Sequence, residues 1–348
     1  MPVFEKIKTQ EKVDFVRNLS LLIKSGSPIN LSFNLLAKQA RNPSLKKVLL
    51  KGKEKTEQGT PIYQIFDEDK NFDNIFVSFI RAGEESGTLV ENLLFLGDWL
   101  DRENNLKKEM SSATLYPKII IIFATVLGAG LSIFVLPNLI KIFEGMDVEL
   151  PITTIILLEF TRLMENYGIY MVMGMILFFI FFYLLSKIKT AKKIIDKMML
   201  NIPIFGDLNK EYQLTIISQL AAILFKSGLP VKQILIIVRE SVTNGYYSNS
   251  LDEIRKRVEK GTKLSEALEH YPKLYPEVFL SVIVTGESAG SLGESLNYLA
   301  SFFKDKVTDR TKKLPVVIEP LLLIFIGIFV AFIASAIVLP VYQITTGI

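Results

Sequence analysis

The sequence predicts an all-α polytopic membrane protein with three transmembrane helices and two repeated cytoplasmic helical-bundle domains. Three observations predict it: long apolar segments, an internal duplication, and helical periodicity without sustained period-two alternation. Hydrophobic residues make up 49% of the 348 residues, and the mean hydropathy of +0.34 is high for a soluble protein. Because 22% of the residues are charged, we expect sizeable soluble domains beside a few spans.

The membrane spans are predicted at 117–140, 167–186 and 315–340. Each is long enough for a helix to cross the ~30 Å hydrocarbon core, which takes ~20 residues. The charged start of the chain lacks the apolar core of a secretory signal, so we expect it to stay in the cytoplasm.

Lysine and arginine give the orientation of the spans. They concentrate before the first span, after the second and before the third, whereas the intervening loop 141–166 is richer in acidic residues. Because basic residues mark the cytoplasmic side, this distribution places domain 1–116 and domain 187–314 inside. It places the loop and the tail 341–348 outside the cytoplasm.

The internal repeat is visible as short identical segments at one displacement. The residues KSG at 24–26 recur at 226–228, and GT at 59–60 recurs at 261–262, in both cases displaced by 202. Both KSG segments end a helical pattern, over Val13–Lys24 and Tyr212–Lys226, and glycine followed by proline is a typical helix stop. Matches at this spacing predict two copies of one helical domain, with the second span as the return crossing.

A third repeated segment, GEESG at 83–87 and GESAG at 286–290, is displaced by 203 and raises the question of catalysis. GESAG matches the G-x-S-x-G elbow of serine hydrolases, which needs a strand before the serine and a histidine nearby. The repeat has Glu85 where Ser288 stands, and the only histidine, His270, lies in a polar stretch. We therefore predict a helix–turn–helix corner.

Both copies of this corner share glycine and glutamate. We expect each glutamate to lie just ahead of the following helix, where a carboxylate stabilises the helix N-terminus. Thr88 and Ser291 each begin an S/T-x-x-E pattern typical of a capping box there. The candidate structural or partner-contact residues are Gly83, Glu84, Gly87, Gly286, Glu287 and Gly290.

Composition excludes several kinds of chemistry. The chain has no cysteine and one histidine, which excludes thiolate and multi-histidine metal sites. It has no P-loop pattern, so no nucleotide site of that class is predicted, and we predict no cofactor. The lysine-rich run 46–55 has no aromatic residue within it, which favours a solvated helix face over nucleic-acid binding.

Small residues recur every fourth position in the first and third spans. Such a face allows close backbone approach in lipid, so we expect these two spans to pack together, within one chain or between two. The residues are Ala124, Gly128 and Ser132 in the first span, and Gly327, Ala331 and Ser335 in the third.

Two copies of an SG-x-P helix end, a GT before a short helix, GE-x-x-G, and a span bounded by prolines resemble the type II secretion F-protein family. That family includes the platforms of type IV pili and of the competence pseudopilus. The likeness runs from about residue 10 to the end of the chain.

The resemblance implies a non-enzymatic platform in the bacterial cytoplasmic (inner) membrane. A hexameric cytoplasmic assembly ATPase would dock beneath it, and the platform would lift pilins or pseudopilins into a filament. The resemblance also implies other inner-membrane assembly proteins as partners and a homo-oligomeric state.

Two alternatives belong to other functional classes. A membrane transporter subunit would need polar residues inside its spans, and only Glu319, close to the cytoplasmic end of the third span, qualifies. An intramembrane hydrolase would depend on Ser288 acting as a nucleophile.

Overall fold

The computed structural model of the chain describes residues 6–130, 151–185, 195–202 and 205–346. These ranges are helical and contain no strand, which confirms the all-α prediction. In chain order the helices are α1 (Thr9–Lys24), α2 (Ile29–Gln39), α3 (Pro43–Glu57), α4 (Ile62–Asp67), α5 (Asn74–Ser86), α6 (Leu89–Gly130), α7 (Ile152–Leu185), α8 (Phe205–Lys226), α9 (Val231–Ser241), α10 (Gly245–Glu259), α11 (Leu264–Glu269), α12 (Glu277–Ala289) and α13 (Leu292–Thr346).

The chain divides into two compact units. The first consists of Met1–Glu109 and Lys193–Thr308, and the second of Met110–Lys192 and Asp309–Ile348. The first unit contains two helical bundles, the first bundle built from α1 to α5 with the start of α6, and the second from α8 to α12 with the start of α13. The order of helices is the same in both, so the sequence repeat is also a structural repeat.

Equivalent helices of the two bundles share the same residue types at their ends. Helices α1 and α8 end at Lys24 and Lys226 as the sequence predicts, and the glycines that follow, Gly26 and Gly228, have φ of 81° and 78°. Helices α3 and α10 begin after asparagines displaced by 202 residues, Asn42 and Asn244. Each asparagine side chain accepts hydrogen bonds from two backbone N–H groups of its helix, groups that would otherwise lack a partner.

The first bundle has an aromatic core. Phe66 is central, with its ring centroid 5.6 Å from that of Phe15, 6.2 Å from that of Phe33, 4.8 Å from that of Phe72 and 5.1 Å from that of Phe76. These separations suit the edge-to-face and tilted arrangements that aromatic rings prefer. The core is therefore filled by interlocking rings.

The second bundle has a core in which aliphatic side chains predominate. Its aromatic members include Tyr247, Tyr275 and Phe279, and the Tyr247 hydroxyl donates to the carbonyl of Leu274 at 2.8 Å. Burial raises the pKa of the Tyr247 phenol far above its ordinary value. A cavity of about 40 Å³ lies in this core, and its lining side chains are apolar apart from Tyr275.

The two bundles contact each other inside the first unit. Helix α5 of the first bundle lies against α9 of the second. Helix α8 is buried along most of its length, and burial together with the nearby Glu103 carboxylate of α6 raises the pKa of Tyr212 on α8 to about 12. Its counterpart α1 buries far fewer residues.

The second unit contains the ends of α6 and α13 together with α7. The Thr154 hydroxyl of α7 donates to the carbonyl of Ala336 at 2.8 Å, and Leu157 and Phe332 pack beside Ala336. On α6, a β-carbon at Gly128 would lie 3.9 Å from the ring of Phe329. Helix α13 therefore contacts both α6 and α7 here.

Among the described residues one helical stretch, Leu292–Ala336 of α13, is long and apolar enough to cross a membrane. None of its most apolar 18-residue window is buried, unlike the core helix of a soluble protein. A shorter apolar stretch covers Lys118–Gly128. Residues 131–150, which hold the rest of the first predicted span and the start of the outer loop, lie outside the described residues. So do residues 186–194, which hold the end of the second predicted span and the start of the second cytoplasmic domain.

The helices extend beyond the predicted domain boundaries. Helix α6 continues without a break past residue 116, and α13 continues past residue 314. Helix α7 begins at Ile152, directly after Pro151, so residues 152–166 of the predicted loop are helical. A proline ahead of the first helical turn is well placed because its missing N–H would have had no intrahelical partner.

Candidate functional site

The GE-x-x-G segments form the predicted corner in both bundles. Helix α5 ends at Ser86, Gly87 has φ of 72°, and α6 begins at Leu89. In the second bundle Gly290, with φ of 69°, separates α12 from α13. A left-handed residue after a helix is a common way to turn the chain, and glycine adopts it without steric cost.

The first glycine of each motif lets two helices cross at very short range. A β-carbon at Gly83 would lie 2.8 Å from the β-carbon of Asn92 and 2.9 Å from the α-carbon of Leu89. At Gly286 it would lie 2.2 Å from the Ser295 hydroxyl oxygen and 2.7 Å from the Ser295 β-carbon. Any larger residue would push the two helices of the corner apart.

Glu84 connects this corner to an earlier helix. Its carboxylate accepts hydrogen bonds from the backbone N–H groups of Ile62, at 2.8 Å, and Tyr63, at 3.2 Å. These are the first two residues of α4, and Pro61 before them has no side-chain acceptor. Glu84 therefore provides the N-terminal cap that α4 lacks locally.

Glu287 does the same for α11 and makes an additional contact. Its carboxylate accepts from the N–H of Leu264 at 2.8 Å, the N–H of Ser265 at 3.0 Å and the Ser265 hydroxyl at 2.5 Å. Partial burial would raise the pKa of this carboxyl. The bonds from Ser265 and Leu264, with Lys263 nearby, outweigh burial and hold the pKa below its ordinary value.

The expectation that each glutamate lies ahead of the following helix is therefore wrong. Glu84 lies within α5 and Glu287 within α12, and each caps the short helix that precedes its own. Helical side chains point back toward the N-terminus of their helix, so these carboxylates are directed away from α6 and α13. At the start of α6 the Thr88 hydroxyl instead accepts from the Asn92 amide at 2.9 Å.

Ser288 does not lie in a nucleophile elbow. It is an exposed residue within helix α12, in a part of the chain without a strand. His270 follows α11, where its ring contacts the Arg257 guanidinium at 3.2 Å and the Glu266 carbonyl at 3.0 Å. Within the described ranges no group of three or more histidine, aspartate or glutamate residues could hold a metal ion.

The candidate packing residues of the membrane segments have mixed surroundings. Gly128 lies beside Phe329, whereas a β-carbon at Gly327 would meet nothing within 4 Å. Ala124 is half-buried, Ala331 is exposed, and the half-buried Ser335 donates its hydroxyl to the Phe332 carbonyl. Ser132 lies outside the described residues, and Glu319 is exposed on α13.

A family model described as "Type II secretion system (T2SS), protein F" matches this chain twice, over residues 15–137 and again over 217–340. The chain belongs to this family. The two matches begin 202 residues apart and end 203 residues apart, which agrees with the displacement of the repeat. Each match covers one bundle together with the apolar helix segment that follows it in sequence.

Curated relatives of this family member resemble it over nearly its whole length. The type IV pilus assembly protein PilC of Myxococcus xanthus is 27% identical and covers 100% of this chain and 84% of its own. PilC of Thermus thermophilus is 26% identical over 95% of this chain and 81% of its own. The type II secretion system protein F of Vibrio cholerae is 25% identical over 97% and 83%.

Sequence reasoning missed one surface of this F-family chain. A groove of about 320 Å³ opens on the first bundle between α1, α2 and α3. The signal was present in the comparison of α1 with α8. Helix α8 is apolar on faces where α1 carries Asp14 and Asn18, so the two helices must have different neighbours. The groove residues include Glu11, Asp14, Asn18, Leu36, Gln39 and Arg41.

Proposed function

We propose that this chain is the inner-membrane platform of a type IV pilus, type II secretion or competence pseudopilus machine. In this role it couples a hexameric cytoplasmic ATPase to the assembly of pilins or pseudopilins and has no catalytic site of its own. The observation that carries the proposal is the double match to the protein F family, which extends over both bundles and their following helices. Relatives that cover at least 95% of the chain are named for pilus assembly and for type II secretion.

The structure supports three membrane spans through the surfaces of α6, α7 and α13. Large apolar side chains stand exposed along each of them, including Phe123 on α6, Phe181 on α7 and Phe325 on α13, at 64%, 60% and 66% exposure. Water contact with so much apolar area is unfavourable, by about 25 cal/mol for each Å². Lipid would cover these surfaces. The positions of lysine and arginine support a cytoplasmic location for both bundles.

A mechanical role is supported by the continuity of α13. This single helix has 55 residues, from Leu292 beside the GE-x-x-G corner to Thr346 beyond the apolar stretch. At about 1.5 Å per residue such a helix is roughly 80 Å long. Since it has no break in its secondary structure, a displacement of its cytoplasmic end can be carried into the membrane.

Gene disruption is the first test. Loss of the chain should abolish surface filaments, secretion of a type II substrate or DNA uptake, and the wild-type gene should restore the lost activity. Ser288→Ala should restore it equally, because this exposed serine has no place in the proposed function. A disrupted strain normal in all three assays would contradict the platform proposal, and failure of Ser288→Ala at a normal protein level would reopen the hydrolase alternative.

Topology is tested by fusing a reporter that is active only outside the cytoplasm. Fusions after Gly145 and Ile348 should be active, and a fusion after Thr190 should be inactive. The reverse pattern would contradict the orientation inferred from charge.

Coupling to a motor is tested with the chain purified in detergent. The assembly ATPase of the same organism should co-purify with it, and the chain should change the rate of ATP hydrolysis. The chain alone should hydrolyse no ATP. If gene disruption abolishes filaments but the chain does not associate with the ATPase, the platform role is supported and the coupling proposal is contradicted.

A further inference from the structure

A short connecting segment lies between the second predicted span and α8 in the sequence. It consists of residues 195–202 together with Phe205, the first residue of α8. Residues 195–199 form a little more than one helical turn, and the N–H of Leu200 donates to the carbonyl of Asp196 at 3.3 Å. Because residues four apart are neighbours on a helix surface, Asp196 and Leu200 share one side of this turn.

That side of the connecting segment is fixed to the second bundle. The Asp196 carboxylate accepts a hydrogen bond from the N–H of Gly245, the first residue of α10, at 2.7 Å. The side-chain amide of Asn244 donates to the Asp196 carbonyl at 3.2 Å. Leu200 is 6% exposed, and a β-carbon at Gly206 would lie 2.3 Å from the Leu200 carbonyl oxygen. The segment is therefore packed closely against the bundle in one defined orientation.

Large apolar side chains stand exposed on the rest of the segment. Met198 lies two residues from both Asp196 and Leu200, so it is on the other side of the helical turn. Several large apolar side chains exposed close together mark a site of interaction with a protein or a membrane. The apolar surface consists of Met198, Met199, Ile202 and Phe205, which are 64%, 45%, 46% and 44% exposed.

The charge beside the apolar surface is positive. Residues 187–197 contain five lysines and one acidic residue, Asp196. Asp196 is buried and its carboxylate accepts the Gly245 N–H, so it presents little negative charge to the surroundings. Lys197, next to Met198, is exposed. The lysines are Lys187, Lys189, Lys192, Lys193 and Lys197, of which the last falls in the described residues.

This combination favours a phospholipid bilayer over a protein as the partner. The predicted second span ends at residue 186, twelve residues before Met198, so the chain itself holds the apolar surface near the membrane. Lysines directly cytoplasmic of a span are attracted by the negative surface potential of anionic lipids. Apolar side chains beside such lysines can enter the boundary between headgroups and acyl chains.

We propose that the apolar surface of Met198, Met199, Ile202 and Phe205 lies in the headgroup boundary of an anionic phospholipid bilayer. The inference rests on the proposed second span and on the proposed cytoplasmic location of the second bundle. Because Asp196 fixes the segment to α10, the same contact holds the second bundle at the membrane surface. The lysines supply an attraction that requires anionic lipid and weakens with salt.

The absence of native cysteine makes a direct test possible. Met198→Cys in the full-length chain is labelled with an environment-sensitive fluorophore, and the chain is reconstituted into vesicles of phosphatidylcholine and phosphatidylglycerol. Some lipids carry a nitroxide quencher, either near the headgroup or deep in the acyl chain. The shallow nitroxide should quench the fluorophore several-fold more strongly than the deep one, and Met199→Cys should give the same result.

Two other labelled positions serve as controls. Val284→Cys on α12 is the matched one, since Val284 is 42% exposed and Met199 is 45% exposed. Val284 precedes the corner from which α13 runs about 35 Å before the third predicted span begins at residue 315, so neither nitroxide should quench it. Leu177→Cys lies at the centre of the predicted second span, where Leu177 is 60% exposed on α7, and the deep nitroxide should quench it.

The controls separate this inference from the proposed topology. Quenching at Leu177 without quenching at Met198 would overturn the inference and leave the proposed second span intact. An apolar but unquenched environment at Met198 would show that protein covers the surface, which also overturns it. Quenching at Val284 equal to that at Met198 would overturn it as well, because the lipid contact would then be nonspecific. No quenching at Leu177 would overturn the second span and the inference together.

Lipid composition tests the contribution of charge. Quenching at Met198 should be several-fold weaker in vesicles of phosphatidylcholine alone, and high salt should lower the quenching in anionic vesicles toward that level. Equal quenching in the two kinds of vesicle would overturn the assignment of an anionic surface.

Discussion

The two bundles have the same helices in the same order, yet they fill their cores differently. Three phenylalanines of the first core are replaced by aliphatic residues in the second, and the replacements line the cavity of about 40 Å³. The equivalent pairs are Phe15 and Ile217, Phe33 and Leu235, and Phe66 and Leu268. The comparison shows that one backbone arrangement accepts two sets of core side chains.

One pair of positions shows how volume is exchanged. In the first bundle a β-carbon at Gly52 would lie 3.3 Å from two ring atoms of Phe33. In the second bundle the equivalent residues are Ile254 and Leu235, so a smaller side chain on one helix faces a larger one on the other. The features that both bundles keep are instead those that the backbone requires, namely the left-handed glycines and the glutamate caps.

The largest effect on stability is expected at the close helix crossing that both bundles share. Gly83→Ala places a methyl group 2.9 Å from the backbone of Leu89, and we expect a loss of about 1–3 kcal/mol in stability. Gly286→Ala should cost a similar amount. Denaturation of the full chain in detergent, followed by Trp99 fluorescence, measures the first bundle, and Phe302→Trp in a Trp99→Phe background measures the second.

Glu85→Ala is the control for Gly83→Ala, since it changes an exposed residue of the same helix. A Gly83→Ala chain as stable as this control would show that the crossing is not as tight as the structure indicates.

Removal of the glutamate caps should give the next largest loss of stability, and the loss should differ between the two bundles. Glu287 accepts from the Ser265 hydroxyl as well as from two N–H groups, whereas Glu84 accepts from two N–H groups of α4. Loss of a side chain that caps a helix N-terminus typically costs about 0.5–2 kcal/mol. We therefore expect Glu287→Ala to destabilise its bundle more than Glu84→Ala destabilises the first. Equal effects would show that Ser265 contributes nothing, and Ser288→Ala, one residue along α12, should be silent.

The pH dependence of the Glu287 cap follows from its lowered pKa. A carboxyl whose pKa is lower in the folded state stabilises that state above its unfolded pKa, and the contribution is lost as pH falls through the folded pKa. The second bundle should therefore lose stability below the ordinary value of 4.5, and Glu287→Gln should weaken this dependence. Comparable acid sensitivity in the two chains would contradict the assignment.

The exchange of volume between Gly52 and Phe33 should appear as coupling. Gly52→Ala alone presses a methyl group toward the Phe33 ring, and we expect a cost of about 1 kcal/mol. Phe33→Leu, which copies the second bundle, should relieve that crowding, so the double variant should be more stable than the sum of the two changes predicts. Strict additivity would mean that the two residues do not share the same space.

The smallest expected effect is that of Leu268→Phe, which is compared with the reverse substitution at the equivalent position of the first bundle. Phe66→Leu opens a gap in the aromatic core and should cost about 1–2 kcal/mol. Leu268→Phe adds volume beside an existing cavity, so its cost should be below about 1 kcal/mol. Chemical denaturation with the two tryptophan probes compares the bundles directly. A larger penalty for Leu268→Phe would show that the cavity cannot receive the ring.

Local signals predicted much of this fold. The ends of α1 and α8 follow from glycine and proline, and the corner at Gly87 follows from the same rule. Helix boundaries are set by neighbouring residues, so they can be inferred without knowledge of the tertiary structure. The duplication also predicted that Ser288 is replaceable, and its exposed position within a helix agrees with that prediction.

Tertiary geometry explains what the sequence did not predict. The Glu84 carboxylate accepts hydrogen bonds from Ile62 and Tyr63, more than 20 residues earlier in the chain. The periodicity of apolar residues does not reveal such a long-range contact. One signal was available, because Pro61 and Lys263 cannot accept a hydrogen bond through their side chains and so leave the starts of α4 and α11 without a local cap. The groove required knowledge of which helix faces are covered.

The glutamate caps also have a consequence for how the bundles open. The first N–H groups of a six-residue helix would ordinarily exchange their hydrogens with solvent almost as fast as in an unfolded chain, because so short a helix does not persist alone. In each bundle these groups are bound to a carboxylate from the last turn of the next helix. The short helix and the helix that follows it therefore form one cooperative unit, and neither should open without the other.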